Sequence, residues 1–386
     1  MRVVVVGAGA FGLSTAIALR RRGHAVRVHD RGAIPHEDAA STDVSKLVRL
    51  DYGDDDLYTE MALESAALFR ASDAKSGQTT YHELGILLLT RAPMREGEFE
   101  HDSLRTLERR GLPARRIDSA WMSQHAAAWS PTLVADGYHS QLGGYVESGA
   151  FVARLRAEAR DLGVESFPHA PVEGLVERSG RITGVRSLGG TVNADAVVVA
   201  AGSFTPLLVP DLEDSLRVVG QPVVLFAPED PAPFSAPRFI PWAFEIAKTG
   251  FYGFPATRDG HVKVANHGVG RPLRADAPRR VTDEDIDGFR GFLRGALPGL
   301  ADAPVARTRL CLYVDTVDGD FLIDRHGALE GLVVASGDSG HGFKFTPVLG
   351  EIVADVVQGK DGSRVRRFAR RERSVGKEAS RAGQNT

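Results

Sequence analysis

The sequence predicts an α/β protein in two parts. A nucleotide-binding domain is assembled from separate stretches of chain, and a second, sheet-based domain covers the ligand. Three observations predict this. The run Val3-Val-Val-Val6 opens onto Gly7, Gly9 and Gly12. Two further apolar runs, at 194–200 and 332–336, end in Gly202 and Gly337. Between them, residues 218–269 hold several strand-like runs and few helical ones. Strand–helix alternation at both ends with a strand-rich middle is the pattern of a parallel sheet whose chain leaves to build another layer.

The valine run shows no polar alternation, as expected of a strand buried on both faces. Gly7-x-Gly9-x-x-Gly12 fits the turn that leads into a helix, read over 13–22. Glycines there let backbone N–H groups approach a pyrophosphate at the positive end of that helix. His24-Ala-Val-Arg-Val-His29 reads as the second strand, and Asp30 closes it as an acceptor for ribose hydroxyls. A glycine turn serving only helix–strand packing does not account for Asp30. The fingerprint asks for a dinucleotide without saying which.

Further along, 41–52 reads as a polar, basic loop and 58–71 carries apolar residues at helical spacing. A strand is expected at 83–90 and an exposed, charged helix at 96–110. A second strand–helix passage begins at Gly144 and continues as a helix over 150–162, followed by two strands. Strand-like runs include Pro222-Val-Val-Leu-Phe226 and Gly250-Phe-Tyr-Gly-Phe254. Residues 281–297 read as a helix entered at Thr282, with Asp285 three residues on as an acidic relative of the capping box. The last core helix is expected at 347–358. Residues 360–386 hold nine Lys/Arg against three Asp/Glu and read as a solvated tail or surface helix.

Composition sets outer bounds. The 386 residues, 43% hydrophobic and 25% charged, have the balance of a globular protein with ample core. A net charge of −3 points to neither nucleic acid nor a membrane surface. One cysteine excludes an internal disulfide and suits a reducing compartment. The N-terminal apolar run is no signal peptide on this reading, because Arg20-Arg21-Arg22 stands where small residues would be needed. No apolar run reaches the ~18 residues that span a bilayer. A cytoplasmic location is expected, with no metal site.

Several side chains invite chemistry. Ser339-Gly-His-Gly-Phe-Lys344 follows a buried strand and precedes a helix. Gly337, Gly340 and Gly342 leave amides unshielded there, which suits an anion or a polar ring edge. Lys344 has no evident partner in sequence; the plainer reading is an exposed lysine on a glycine turn. Lys46 and Arg49 lie near Asp43 and Asp51, which would neutralise them as ordinary surface pairs. Lys263 sits among Val262, Val264 and Ala265, where a strand lysine more simply faces solvent. His267, Tyr252 and Tyr313 are core or surface residues when taken singly, and Cys311 a small buried hydrophobe.

Taken together, these positions resemble the D-amino-acid-oxidase-like superfamily of FAD oxidoreductases, and within it the monomeric sarcosine oxidase group. Relatives in that group act on N-methyl amino acids, pipecolate and fructosyl amino acids. The resemblance runs from residue 2 to about 358. It is carried by Gly7-Ala-Gly-Ala-Phe-Gly12 with Asp30, by Lys46-Leu-Val-Arg49 with Tyr52-Gly53, and by Phe251-Tyr-Gly-Phe-Pro255 with Lys263 and His267. Most specific are Cys311-Leu-Tyr313, Phe321-Leu-Ile-Asp324 and Ser339-Gly-His-Gly-Phe-Lys-Phe345.

The resemblance implies a discontinuous Rossmann-type FAD-binding domain (1–80, 145–215 and 305–386) and a mixed-β-sheet substrate domain (81–144 and 216–304). Gly7, Gly9, Phe11, Gly12, Asp30 and Ser41 would hold the adenosine and pyrophosphate, with Val172 and Gly202 beside them. Lys46, Gly337, Gly340, His341, Gly342, Phe343 and Lys344 would surround the flavin, with Cys311 placed for a thioether to its ring. Arg49 and Lys344 match a pair that binds the substrate carboxylate, one forked and one point-like cation. Lys263 matches a lysine that holds a water near flavin N5 and promotes reaction with O2. His267, Tyr252 and Tyr313 line the substrate pocket in relatives. Lys46 stands where sarcosine-specific members have arginine, Thr42 stands near a histidine of theirs, and Asp315-Thr316 reads more like pipecolate and fructosyl-amino-acid oxidases.

The implied activity is oxidation of a secondary amine of the N-substituted α-amino acid type. The imine then hydrolyses and O2 becomes H2O2. Lone-pair electrons of the free amine drive the step, so no side-chain base is required. The partners are an amino-acid-like amine and O2, and relatives imply a monomer. A dehydrogenase passing electrons to a carrier is the alternative, and Lys263 argues against it. A non-catalytic flavoprotein would be expected to lose Arg49, Lys263 and Lys344. An NAD-dependent dehydrogenase would share the opening fingerprint alone.

Overall fold

The computed structural model describes residues 1–371. Its first layer is a six-stranded sheet in the order Leu322–Arg325, Leu332–Ser336, Ala196–Val199, Arg2–Val6, Ala25–His29 and Glu165–Phe167. Every neighbouring pair is parallel except the first. The valine run is central: Val3 pairs with Ala196 on one side and Val26 on the other. Its alternate residues serve two cores. Val3 and Val5 pack with Leu13, Ile17, Phe151 and Leu349, from the helices Ala10–Arg21, Ser148–Asp161 and Thr346–Gln358. Val4 and Val6 pack with Ile182 and Val185, from the antiparallel three-stranded sheet Val172–Arg178, Arg181–Ser187 and Gly190–Asn193. Two apolar partners, one on each face, are why the run does not alternate.

The second layer is a nine-stranded sheet. Arg217–Phe226 pairs along its length with Val305–Asp315, and on its other side with Val262–Asn266 and Arg271–Pro272. The sheet continues through Phe251–Gly253, Trp242–Phe244, Ile86–Thr90, Asp136–Ser140 and Ala114–Asp118. Trp242–Phe244 runs parallel to Ile86–Thr90 while the other pairs are antiparallel, so the sheet is mixed. The helix Asp283–Ala296 covers it with Phe289, Leu293 and Ala296 against Trp242, Phe244 and Val264. Its entrance is the expected capping box: Asp285 N–H donates to Thr282 Oγ1 at 3.2 Å, and Thr282 N–H donates to Asp285 Oδ2 at 2.8 Å.

Four local expectations are corrected. The first helix begins at Ala10, because the glycine turn itself is wound into it. The stretch 41–52 is not all loop: Lys46–Val48 pairs with Gly144–Val146, which also holds Tyr81–His82, in a small antiparallel sheet. Gly144–Val146 therefore lies outside the parallel sheet, and Glu165–Phe167 is the strand that joins it. The helix Phe99–Arg109 is not simply exposed, since Phe99, Glu100, Leu104 and Leu107 are buried. In the basic C-terminal stretch, Ser363–Phe368 is helical with Phe368 in the core; residues 372–386 lie outside the described residues.

Candidate functional site

A cavity of about 910 Å³ opens at the C-terminal ends of four parallel strands, where Val6, His29, Ala200 and Ser336 are in its wall. Ligands of open α/β sheets bind at these strand ends. The large sheet contributes Tyr252 and Tyr313 to the same wall.

One end is made of backbone. The helix Ala10–Arg21 starts at Gly9, which has no side chain to cap it, and holds no acid in its first turn, a setting that favours an outside anion. Ser41 Oγ accepts from Ala10 N–H at 3.2 Å. Asp30 staples the turn, accepting from Ala8 N–H at 2.7 Å and Gly32 N–H at 3.0 Å. The three glycines separate by cause. A Cβ on Gly12 would stand 1.8 Å from the Gly7 carbonyl oxygen, and one on Gly7 2.4 Å from the Ala200 oxygen, so both answer to packing. A Cβ on Gly9 would meet only Ser41 Oγ at 3.3 Å, and Gly9 is in the cavity wall. At Gly7 and Gly12 the obstacle is backbone, whereas at Gly9 it is the Ser41 hydroxyl alone.

Val172 and Gly202 are also in the wall. So is His29, which the sequence reading used only to end a strand. Its ring stacks on Phe167 at 4.7 Å, and its buried Nε2 has no protein partner. Burial, with Arg27 nearby, lowers its pKa and keeps the imidazole neutral.

The other end is made of side chains. Lys46, Arg49, Tyr252, His267, Tyr313 and the segment 340–344 line it. Arg49 is 5% exposed and donates to the Asp51 carbonyl oxygen. Lys344 is 4% exposed and donates to the His341 carbonyl oxygen at 2.8 Å. Both cations lie against one ring: the Arg49 guanidinium is 4.3 Å and the Lys344 Nζ 5.5 Å from the centroid of Tyr52. His341 holds that ring in turn, its Nδ1 3.2 Å from the Tyr52 hydroxyl and its Nε2 2.9 Å from the Gly319 carbonyl oxygen. Gly340 and Gly342 are required by close approach, since Cβ atoms there would meet Tyr313 Cε2 at 2.2 Å and Phe11 Cζ at 2.9 Å. The hydroxyls of Tyr252 and Tyr313 lie 3.4 Å apart, and His267 stands 5.9 Å from the Tyr313 ring. Phe11, Ser41 and Phe343 complete the expected wall residues.

Four expected site residues stand behind the wall. Gly12 and Gly337 shape turns; at Gly337, with φ +69°, a Cβ would press on Thr316 Cγ2 at 2.5 Å. Cys311 is buried on Val305–Asp315 beside Leu312 and Tyr313, with Lys46 Nζ 4.0 Å from its Sγ. Lys263 does not face solvent. It is 1% exposed, with Nζ donating to Asp43 Oδ2 at 2.7 Å and to the Ser45 carbonyl oxygen, above the Phe254 ring at 4.7 Å.

The surface-pair reading of Lys46 and Arg49 is also overturned. Asp43 Oδ2 accepts from Lys46 Nζ at 3.1 Å as well as from Lys263, with its side chain 4% exposed. Asp51 is buried too, and accepts from the Tyr138 hydroxyl at 2.7 Å. Burial alone would raise the Asp43 pKa, but Lys263, Lys46 and Arg309 hold it far below the carboxylate range. Burial pulls Lys263 down to about 8, with Lys46 adding to the fall and Asp43 resisting it. Burial works against Lys46 as well, yet Cys311 and Asp43 outweigh it and hold this lysine above its ordinary value. Burial raises Asp51, against the hydrogen bond from Tyr138. Sequence reading missed Asp43 as a site residue; its signal was an acid three positions before Lys46, among small residues. Among the described residues no helix is long and apolar enough to cross a membrane.

Comparison with known proteins agrees with this geometry. The family model described as "FAD dependent oxidoreductase" matches residues 2–356. The chain is 26% identical over 364 residues to monomeric sarcosine oxidase of Bacillus sp. (strain B-0618), covering 92% of this chain and 91% of that one. It is 27% identical over 369 residues to N-methyl-L-tryptophan oxidase of Salmonella newport (strain SL254), covering 94% and 95%. Among solved structures, the fructosyl amine:oxygen oxidoreductase amadoriase I of Aspergillus fumigatus shares its fold with a TM-score of 0.82 at 22% identity, over 95% of this chain and 89% of that one.

Proposed function

Because this chain belongs to the FAD-dependent oxidoreductase family, we propose that it is an oxidase of secondary amines of the N-substituted α-amino acid type, with O2 as acceptor. The observation that carries the substrate class is the pair Arg49 and Lys344: two cations, each nearly buried, in one cavity wall and against one tyrosine ring. A buried forked cation beside a buried point charge suits a carboxylate. That the relatives named above act on sarcosine, N-methyl-L-tryptophan and fructosyl amines agrees with this reading.

Two features of the chain fit FAD: Gly9, in the cavity wall at a helix start that carries no acid in its first turn, and the unpartnered His29 Nε2 in the same wall. When bound, FAD supplies the two-electron chemistry that no side chain here offers. The protein binds and orients. Arg49 and Lys344 clamp the carboxylate, while Tyr252, Tyr313 and His267 bound the space in which the amine sits. The amine arrives as its free base, so none of these groups removes a proton from it. Lys46 and Lys263 give the inner end a positive charge, which stabilises the anion formed when O2 takes its first electron. Cys311 is the candidate for a thioether to the flavin.

The test is a panel of sarcosine, other N-methyl amino acids, pipecolate, proline and fructosyl amino acids, assayed for H2O2 and for flavin bleaching without air. Bleaching and H2O2 with at least one carboxylate-bearing secondary amine is expected. Bleaching without H2O2 would establish the carrier-linked dehydrogenase in its place.

A further inference from the structure

Asp43 is a buried acid in contact with both inner lysines, and the oxidase reading gives it no task. Its placement is rigid. The Asp43 N–H donates to Ser148 Oγ at 3.1 Å, and its carbonyl oxygen accepts from Ser148 Oγ–H at 2.9 Å and from Gly149 N–H at 3.0 Å. Its Oδ1 accepts from Val44 N–H at 2.7 Å, leaving Oδ2 to the lysines. Arg309 braces the same loop by donating to the carbonyl oxygens of Thr42 and Ala39. The start of the helix Ser148–Asp161 and the strand Val305–Asp315 thus hold one carboxylate between two ammonium groups.

We propose that Asp43 is a positioning residue for oxygen reactivity: its carboxylate bridges Lys46, in the cavity wall, to Lys263, one layer behind, and keeps the two as a fixed cationic pair. The proposal rests on the oxidase reading above. Two ammonium groups sharing one acceptor in a nearly dry site would repel each other without it, and an unpaired buried ammonium sheds its proton. Lys263 is the one that yields. It is the more deeply buried and already titrates near pH 8, whereas Lys46 borders the cavity and Cys311. The other ionisable groups around the pair are Tyr252 from Phe251–Gly253, and Cys311 and Arg309 from Val305–Asp315. Lys263 is charged below its pKa, so reoxidation of reduced flavin in the parent slows as pH rises through about 8.

The holoprotein carries its own reporter in the visible absorption of the flavin. Two profiles are measured from pH 5 to 10: the spectrum of the oxidised flavin, and the stopped-flow rate at which substrate-reduced flavin is reoxidised by air. In Asp43→Asn both midpoints should fall by about 1–3 pH units, so that at pH 8 reoxidation is at least about fivefold slower while the two proteins converge near pH 5. Asp43→Glu should restore most of the shift. Lys46→Met should move the spectral midpoint upward, because a repelling neighbour is gone. Opposite shifts in these two variants are the signature, and a purely structural role for Asp43 would not produce them. An unmoved midpoint in Asp43→Asn overturns the proposal; if that variant does not fold, a Lys46→Met midpoint that stays or falls overturns it equally. A parent whose reduced flavin ignores O2 refutes the oxidase reading and with it any role in oxygen reactivity, whereas the spectral midpoints decide separately whether Asp43 holds the lysine pair.

Discussion

The two ends of the cavity are built by different means. At residues 7–12 the site is backbone: amide groups at a helix start, glycines that let strand and helix touch, and one acid that staples the turn, all within thirty residues. At the opposite end the site is side chain. Lys46 and Arg49, Tyr252 and Lys263, Cys311 and Tyr313, and Lys344 arrive from four distant stretches and meet only through non-local strand pairing. A backbone site is written locally and tolerates little change of shape. A side-chain site is written across the chain, and its parts fail one function at a time.

The largest contrast lies within the fingerprint. Gly12→Ala places a methyl group 1.8 Å from the Gly7 carbonyl oxygen, so helix and strand must part. A cost of about 1–3 kcal/mol is expected from such overpacking, together with loss of bound flavin. Gly9→Ala meets only Ser41 Oγ, at 3.3 Å, and should lose less stability than Gly12→Ala, yet purify with little flavin. Melting temperature and the ratio of visible to ultraviolet absorbance separate the two. Equal loss of stability in both would mean that Gly9 too is a packing residue.

At the side-chain end the strongest expected effect follows from removing either carboxylate partner. Arg49→Ala and Lys344→Met should each cost about 2–5 kcal/mol of binding, because the substrate carboxylate then meets one nearly buried cation in place of two. The loss should appear in kcat/KM for carboxylate-bearing amines, measured per bound flavin. Amines lacking a carboxylate should lose nothing. A uniform loss across both substrate classes would place these cations outside the substrate site.

Lys263 comes next. Lys263→Met should load flavin and be reduced by substrate at the parental rate, yet reoxidise in air far more slowly. Unchanged reoxidation would remove Lys263 from the chemistry and leave Lys46 as the inner charge.

These residues also show what could be read without coordinates. The first sheet was legible because a double-faced strand writes an unbroken apolar run and its turn writes glycine. The capping box at Thr282 was legible for the same local reason. The burial of Lys263 was not. Val262, Val264 and Ala265 are all buried with it, so the period of two that normally tells the faces of a strand apart gives no signal. The pairing of Lys46–Val48 with a segment a hundred residues on was equally invisible, and with it the conversion of Asp43 from a surface partner into a buried one. Glu100 hid in a charged helix because a partner of its carboxylate, the Ile246 N–H at 2.9 Å, belongs to the other layer.

The smallest effect on turnover is expected at Cys311, which makes it the sharpest probe of the side-chain end. Its Sγ stands 4.0 Å from Lys46 Nζ, so a cation lies against the sulfur that would attack the flavin ring. If a thioether to the flavin forms, acid-precipitated parent protein stays yellow and keeps its fluorescence in a denaturing gel, while Cys311→Ala releases its flavin into the supernatant. Cys311→Ala should still bind flavin when native, because the helix start, Asp30 and the glycines around Lys344 are untouched. A colourless parent pellet would sink the covalent link and leave the backbone end as the sole anchor. A yellow parent pellet beside a Lys46→Met variant that gives a colourless one would show the two ends dividing the work: backbone holds the cofactor, and a side-chain cation ties it down.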